Sequence, residues 1–339
     1  MTTNLEIPIG DAIEDFLEER KSEVSASSHR NYKYPLDAFS EFCNDRGIET
    51  TADLNGYELK KFKLRRRDAG IKEVTLKNNL SVIRVFLRWC AEAELVQRGL
   101  ADLVQIPDLE TSEKTSGEII PLDQIEEMLD YLYKYEYATR THAAFQLMWH
   151  TCMRMGSLES IDLKDWHPDR NQIELHHRPD SDTPLKNGED GERIINVSDT
   201  VTELLEDYIE GHRKAVTDDY GREPMFTTRY GRLTHNTLRK NIYGITRPCY
   251  VGMGCPHDKD PSECEAANYK KKASKCPSSM SPHPVRRSAI TYHLNQEWPK
   301  EKLSERANVS VSVLDEHYDG RTKQEEASTR KQYLDNLGS

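Results

Sequence analysis

The sequence predicts a mainly helical protein of two domains, with a small β-sheet in the second. Three observations carry this. Apolar residues recur at helical spacing through most of the first 110 positions. The stretch 107–118, PDLETSEKTSGE, is polar, holds Pro and Gly and has no apolar period, as a linker does. Beyond it two alternating runs, NQIELHH and ERIINVS, flank a Gly-containing turn, the pattern of paired strands. The chain has 339 residues, enough for two cores. The bounds this gives are 1–108 for the first domain, 109–118 for the linker and 119–339 for the second domain.

Ile13, Phe16 and Leu17 share one face of a first helix. Leu36, Phe39 and Phe42 repeat the pattern in a second, and Gly47 is placed to end it. Leu76, Leu80, Ile83, Leu87 and Cys90 step by 4, 3, 4 and 3, the clearest amphipathic helix of the domain. A small bundle of four or five helices follows from the spacing.

Charge narrows the function. The formal net charge is −11 and the pI about 5.6, which excludes a globally basic nucleic-acid binder. No run of eighteen apolar residues is present, so no membrane span is expected. The acidic N-terminus lacks a signal-peptide pattern, and a cytoplasmic location is expected. Locally the balance reverses. Residues 1–59 hold 5 basic and 13 acidic side chains, whereas 60–88 hold 10 basic and 2 acidic. The centre of the second stretch is KKFKLRRR: Lys60, Lys61, Lys63, Arg65, Arg66 and Arg67, with Lys77 on the next helix. Such a run suits phosphate neutralisation; a solvated helix face is the plainer reading of the same residues.

The second domain opens with a helix near Pro121, carrying Leu122, Ile125, Leu129 and Leu132. The two strands follow, then a helix over 201–212 marked by Val201, Leu204, Leu205 and Tyr208. Arg229 and Arg232, in the segment after it, are weak candidates for phosphate contact. Residues 249–280 form a Cys-rich insertion with Cys249, Cys255, His257, Cys264 and Cys276. Thiolates and imidazole at short spacing suit a tetrahedral structural zinc, and reduced thiols in a loop are the alternative. Lys270, Lys271 and Lys272, with Lys275, make a second basic patch.

Residues 281–319 hold the chemistry. His283 and Arg286 form a His-x-x-Arg pair on one face of an expected helix, with Pro284 in its first turn. Tyr318 follows 32 residues later in HYDG. A guanidinium binds phosphoryl oxygens bidentately and stays charged. An imidazole at the same face bonds the phosphate or handles a proton. A tyrosine hydroxyl attacks phosphorus to give a covalent intermediate.

This set resembles the tyrosine recombinase (integrase) family, Xer-like, in a divergent form similar to those of halophilic archaea and their mobile elements. The resemblance implies a helical, SAM-like core-binding domain that clamps DNA opposite an α+β catalytic domain. SASSHRNYKYPLDAFSEFC and TLKNNLSVIRVFLRWCAE are similar to the usual pattern of the first. It further implies that Arg154, in HTCMRMGSLES, is the upstream catalytic arginine and that Lys186, on the hairpin, is the catalytic lysine. Tyr318 would be the nucleophile that forms a 3′-phosphotyrosyl link, with Arg154, Arg286 and His283 stabilising the transition state and Lys186 protonating the leaving 5′ oxygen. Tyr292 stands too close to Arg286 for that role and Tyr333 too far. Double-stranded DNA, a homotetramer on synapsed DNA and accessory DNA-bending proteins are the implied partners, and catalysis requires no cofactor. The chain departs from the family's pattern at Cys152, where Gly is usual, at Ser157, where Glu is usual, at Arg287, where His is common, and at Val309, where His or Trp is usual. A type IB topoisomerase-like relaxing enzyme and an inert DNA-binding descendant are the alternative readings. The tail 321–339 is expected to make a terminal helix.

Overall fold

The structure is a computed structural model that describes residues 5–24, 26–109 and 118–328. The chain divides into two compact units, Met1–Ser116 and Gly117–Ser339. Most of the expected linker, and Tyr333 in the tail, lie outside the described residues.

Among the described residues the first unit holds four α-helices: α1 (Ile9–Glu23), α2 (Ala26–Arg46), α3 (Gly56–Asp68) and α4 (Glu73–Glu92). The five predicted positions of α4 are all buried, and Phe86 joins them. That stripe meets Phe16 of α1 and Phe39 of α2 in edge-on ring contacts through Phe86, with centroids 5.5 Å from Phe16 and 6.4 Å from Phe39. Each such ring buries one of the largest apolar surfaces available to a side chain. Gly47 follows α2 with φ +69°, the left-handed residue that ends a helix at least cost. Asn55 caps α3 by accepting from the Tyr57 and Glu58 amides at 3.0 and 3.2 Å. Only Leu59 and Phe62 of α3 are buried, so its basic residues occupy the remaining faces.

The second unit runs α5 (Leu122–Tyr135), α6 (Arg140–Thr151), α7 (Met155–Ser160), β1 (Trp166–His167), β2 (Gln172–Leu175), β3 (Arg193–Asn196), α8 (Asp199–Gly211), β4 (Thr227–Thr228), β5 (Gly231–Arg232), α9 (His235–Ile245), α10 (Pro282–Asn295) and α11 (Lys300–Ala307). The predicted strands pair antiparallel with Ile173 opposite Ile195, and β1 adds a third strand on the other side of β2. α6 and α10 are buried on nearly all sides, the mark of central helices. The predicted face of α5 is shifted: Ile125, Met128 and Leu132 are buried, while Leu122 is exposed because Pro121 is the capping residue and the helix begins at Leu122. α8 buries Val201, Leu204, Leu205 and Tyr208 as expected.

A buried ion-pair network supports the sheet. Arg178 pairs with Asp165 at 2.6 Å and with Asp162 at 3.1 Å. Arg232 pairs with Asp218 at 2.7 Å and also with Asp162, and Arg222 reaches Asp218 at 2.9 Å. Arg232, a weak phosphate candidate by sequence, is therefore committed to carboxylates, because Asp162 and Asp218 are both buried and need cations. Arg229 remains exposed, its guanidinium 4.5 Å from the Tyr230 ring.

Candidate active site

The C-terminal end of α6 builds one wall of the site. Cys152 takes φ +55°, a left-handed conformation that stops the helix and turns the chain to Arg154. Glycine adopts that conformation freely, which accounts for the residue type usual in the family at this place. Here Cys152 adopts it with its side chain fully buried and its sulfur 3.5 Å from His293 Nδ1. Arg154 immediately precedes α7 and donates from Nη1 to the Asn308 carbonyl at 2.8 Å.

α10 supplies the next pair. Arg286 is 2% exposed. It donates from Nη1 to the Cys152 carbonyl and from Nη2 to the Ala307 carbonyl at 2.9 Å. His283 lies one turn earlier, its ring centroid 5.4 Å from that of Tyr318. Burial lowers the His283 pKa from its ordinary value, and Arg286, Arg287 and Arg154 add to the shift. Burial also lowers the Arg286 pKa, against the favourable influence of Tyr318.

Tyr318 ends a π-turn, Leu314–Tyr318, a geometry found often at functional positions. Its ring centroid is 5.2 Å from the Arg286 guanidinium carbon. Thr291 of α10 donates to the Tyr318 carbonyl at 3.1 Å. Asp319 anchors the turn from the other side, bonded by Arg321 at 2.6 Å and Lys300 at 3.2 Å. Gly320 has no room for a Cβ, which would run into the Ile119 side chain. The rival Tyr292 is turned away onto Trp149, with ring centroids 5.3 Å apart.

Two further arginines join this group that the sequence did not single out. Arg193 of β3 donates to the carbonyls of Arg306 at 3.0 Å and Gly191 at 2.8 Å. Arg306 of α11 donates to the carbonyls of Asn196 and His150, both at 2.9 Å. Burial, then the proximity of Arg286, Arg154 and Arg306, holds Arg193 down to about 10. The hydrogen bonds of Arg154, Arg193, Arg286 and Arg306 given above all go to backbone carbonyls. A cluster of cations satisfied only by neutral acceptors favours an anion.

Lys186 is exposed in the long connection between β2 and β3. It meets none of the other four predicted residues among the described contacts, but its loop is tied to them. Asn187 donates to the Asn308 side-chain oxygen, and Asn308 Nδ2 donates to the Asp190 carbonyl at 3.0 Å. Asn308, with φ +51°, thus joins the Lys186 loop to the backbone acceptor of Arg154. Val309 packs into the hydrophobic core and Ser157 is buried. His317 is half-buried, and its Nδ1 has no hydrogen-bond partner.

A family model described as the phage integrase family matches residues 118–318, ending on Tyr318. A second, described as the phage integrase N-terminal SAM-like domain, matches residues 13–94. The chain belongs to the phage integrase family, the tyrosine recombinases. It is 22% identical over 240 residues to tyrosine recombinase XerD of Oceanobacillus iheyensis, covering 69% of this chain and 76% of that one. It is 21% identical over 331 residues to tyrosine recombinase XerC of Vibrio campbellii, covering 94% and 92%. The Tn1549 transposon integrase in complex with circular intermediate DNA shares the fold, with TM-score 0.65, 13% identity and coverage of 96% and 100%. The lambda integrase dimer bound to a COC′ core site does so with TM-score 0.63, 13% identity and coverage of 94% and 79%.

In this integrase the basic run of the first unit lies along α3. Arg65 pairs with Asp45 at 2.6 Å and Arg67 with Glu73 at 2.8 Å. Arg66 lies 5.6 Å from the Tyr34 ring, and the Asn79 amide oxygen, turned towards it, accepts from Nε and Nη2 at 3.2 and 2.9 Å. Lys61 lies 5.3 Å from the Tyr57 ring. Lys60 is exposed, and Lys63 and Lys77 are half-buried. Beside α2 and α4 a polar groove is lined by Arg30, Tyr34, Asn78 and Asn79, residues whose mixed polarity gave no charge signal in the sequence.

The Cys-rich insertion is a loop with two short helical turns, Glu265–Asn268 and Lys270–Lys275. Lys272 and Lys275 both pair with Glu265, while Lys270 and Lys271 are exposed. Cys249, Cys255, Cys264 and Cys276 are free thiols. His257, the fifth predicted ligand, shares a 2.8 Å hydrogen bond between its Nε2 and Ser278 Oγ.

Proposed function

We propose that this protein is a site-specific DNA recombinase that cleaves and rejoins DNA through a 3′-phosphotyrosine intermediate. The observation that carries the proposal is Tyr318 lying against both His283 and the buried Arg286, within arginines whose partners are carbonyls. A scissile phosphate would replace those neutral acceptors with an anion. Arg154 and Arg286 would then hold its non-bridging oxygens, where transition-state charge builds up. Tyr318 would attack phosphorus, and the 5′ oxygen would leave with a proton. Lys186 suits that proton donation, since a lysine on a loop is a mobile donor. Arg193 and Arg306 add positive field around the same pocket. The phosphotyrosyl bond conserves the energy of the phosphodiester, so the reaction consumes no nucleotide. We further propose double-stranded DNA as the partner, held by the Lys60–Arg67 run, Lys77 and the Lys270–Lys272 segment, with a tetramer on synapsed sites and DNA-bending accessory proteins.

The test is a suicide substrate: nicked DNA with a candidate attachment site, incubated with the wild-type chain and with Tyr318→Phe. An SDS-stable adduct formed by the first and absent from the second is expected, with DNA binding retained by both. Binding without any adduct would instead support an inert DNA-binding descendant. That reading is favoured only by Ser157 and Val309, which stand buried where the family usually places Glu and His or Trp.

A further inference from the structure

The Cys-rich insertion plays no part in the chemistry proposed above, and it lacks a core of its own. Over residues 249–280, all of them described, the buried apolar side chains are Val251, Ala266 and Ala273. Two ties fasten its base to α9: the Met280 amide donates to Thr246 Oγ1 at 2.8 Å, and Arg247 donates to the Ala266 carbonyl. Little apolar surface holds the loop beyond them, and segments of this kind need a cross-link or a metal to keep one shape.

All four cysteines of the insertion line one cavity of about 400 Å³. They come from positions separated by 6, 9 and 12 residues, so the chain must loop back repeatedly to bring them to the same wall. Arg247 lines the same cavity and is 5% exposed. Its hydrogen bonds among the described residues go to the carbonyls of Gly244 and Ala266, and Glu263 and Glu265 line the same cavity. Among the described residues no three His, Cys, Asp or Glu side chains are yet gathered closely enough to hold an ion.

We propose that Cys249, Cys255, Cys264 and Cys276 form a tetrathiolate site for a structural zinc ion, with His257 outside the ligand set. Binding converts four thiols to thiolates and releases four protons as one divalent ion enters. The resulting centre carries two negative charges, and Arg247, Lys259 and Lys275, which line the same cavity, supply compensating cations. Four sulfurs about 2.3 Å from one ion would draw the cavity walls together, which supplies the cross-link the loop lacks. His257 is left out because Ser278 already holds its Nε2. The Lys270–Lys275 turn lies between the third and fourth ligands, so the metal would also fix that basic segment.

The test needs neither DNA nor turnover. The full chain is purified under reducing conditions and its metal content measured by mass spectrometry. The metal-free chain is then titrated with cobalt(II) and followed by its thiolate-to-metal charge-transfer absorption. About one zinc per chain and a tetrahedral cobalt spectrum are expected. Single Cys→Ser changes at the four positions should each cut metal retention by more than about tenfold, and His257→Ala should retain it. Because a serine variant can lose metal simply by misfolding, the cobalt spectrum of the unmodified chain decides independently. Only trace metal with no charge-transfer band would overturn the site, as would loss of metal in His257→Ala. Non-reducing mass analysis that finds the four cysteines in two disulfides would overturn it too. None of these outcomes bears on whether Tyr318 forms an adduct.

Discussion

Arg286 shows how much one side chain is asked to do. It is buried, and its guanidinium donates to the Cys152 and Ala307 carbonyls beside the Tyr318 ring. Those two carbonyls come from the end of α6 and the end of α11, so the guanidinium fork joins three helices. Lysine keeps the charge but has no planar fork to span two acceptors. Arg286→Lys is therefore expected to lower the cleavage rate on a suicide substrate by at least about 100-fold, with adduct formation followed over time. A rate within a few-fold of wild type would mean that Arg286 ties the helices and does not act on the phosphate.

At the scale of elements, two devices hold the site in shape. The first is the Asp162–Arg232–Asp218 network behind the sheet. Arg232→Met would leave two buried carboxylates short of a cation and should cost about 3–5 kcal/mol in urea unfolding. A loss below about 1 kcal/mol would show that Arg178 and Arg222 suffice. The second device is Asn308, whose side chain holds the Lys186 loop while its carbonyl receives Arg154. Asn308→Gly keeps the left-handed backbone at φ +51° without strain and removes only the side-chain tie. It is expected to slow cleavage roughly tenfold through the lysine-dependent step and to leave DNA affinity, measured by gel shift, unchanged. Rescue of Asn308→Gly by a substrate whose leaving group needs no proton would identify the loop's role as positioning. An unchanged cleavage rate would remove Asn308 from the account.

At the scale of the whole molecule, stability should depend on acid in one direction. Burial lowers His142 to about 4, and burial with Arg306 and His293 lowers His150 to about 4. His293 and His283 are lowered too, chiefly by burial. An imidazole with a folded pKa below its unfolded 6.5 binds fewer protons when folded. Its contribution is complete above pH 6.5 and is lost as pH falls from there towards about 4. His142 is almost fully buried, and it alone should cost on the order of 2–3 kcal/mol by pH 4.5. The urea midpoint is expected to fall steadily between pH 7 and 4.5. An unchanged midpoint would mean that these imidazoles are protonated in the folded state.

The sequence by itself determined what short-range patterns encode. The stripe from Leu76 to Cys90 is one helix face, and all five of its residues are buried. His283, Arg286 and Tyr318 were legible because residue type and spacing along one segment mark them, and the structure brings all three into contact. Partners distant in sequence were decided only by the tertiary structure. Arg193 read only as a polar residue in a strand and Arg232 as a weak phosphate candidate, yet the first joins the arginine cluster and the second neutralises carboxylates. His257 and Cys249 both read as metal ligands, yet Ser278 engages only the histidine. The physical reason is the range of the forces involved. Helix and strand periods repeat within a few residues and can be read along the chain. The environment of a charge is set by whatever packs against it, which here comes from more than one hundred residues away, as between Arg154 and Asn308.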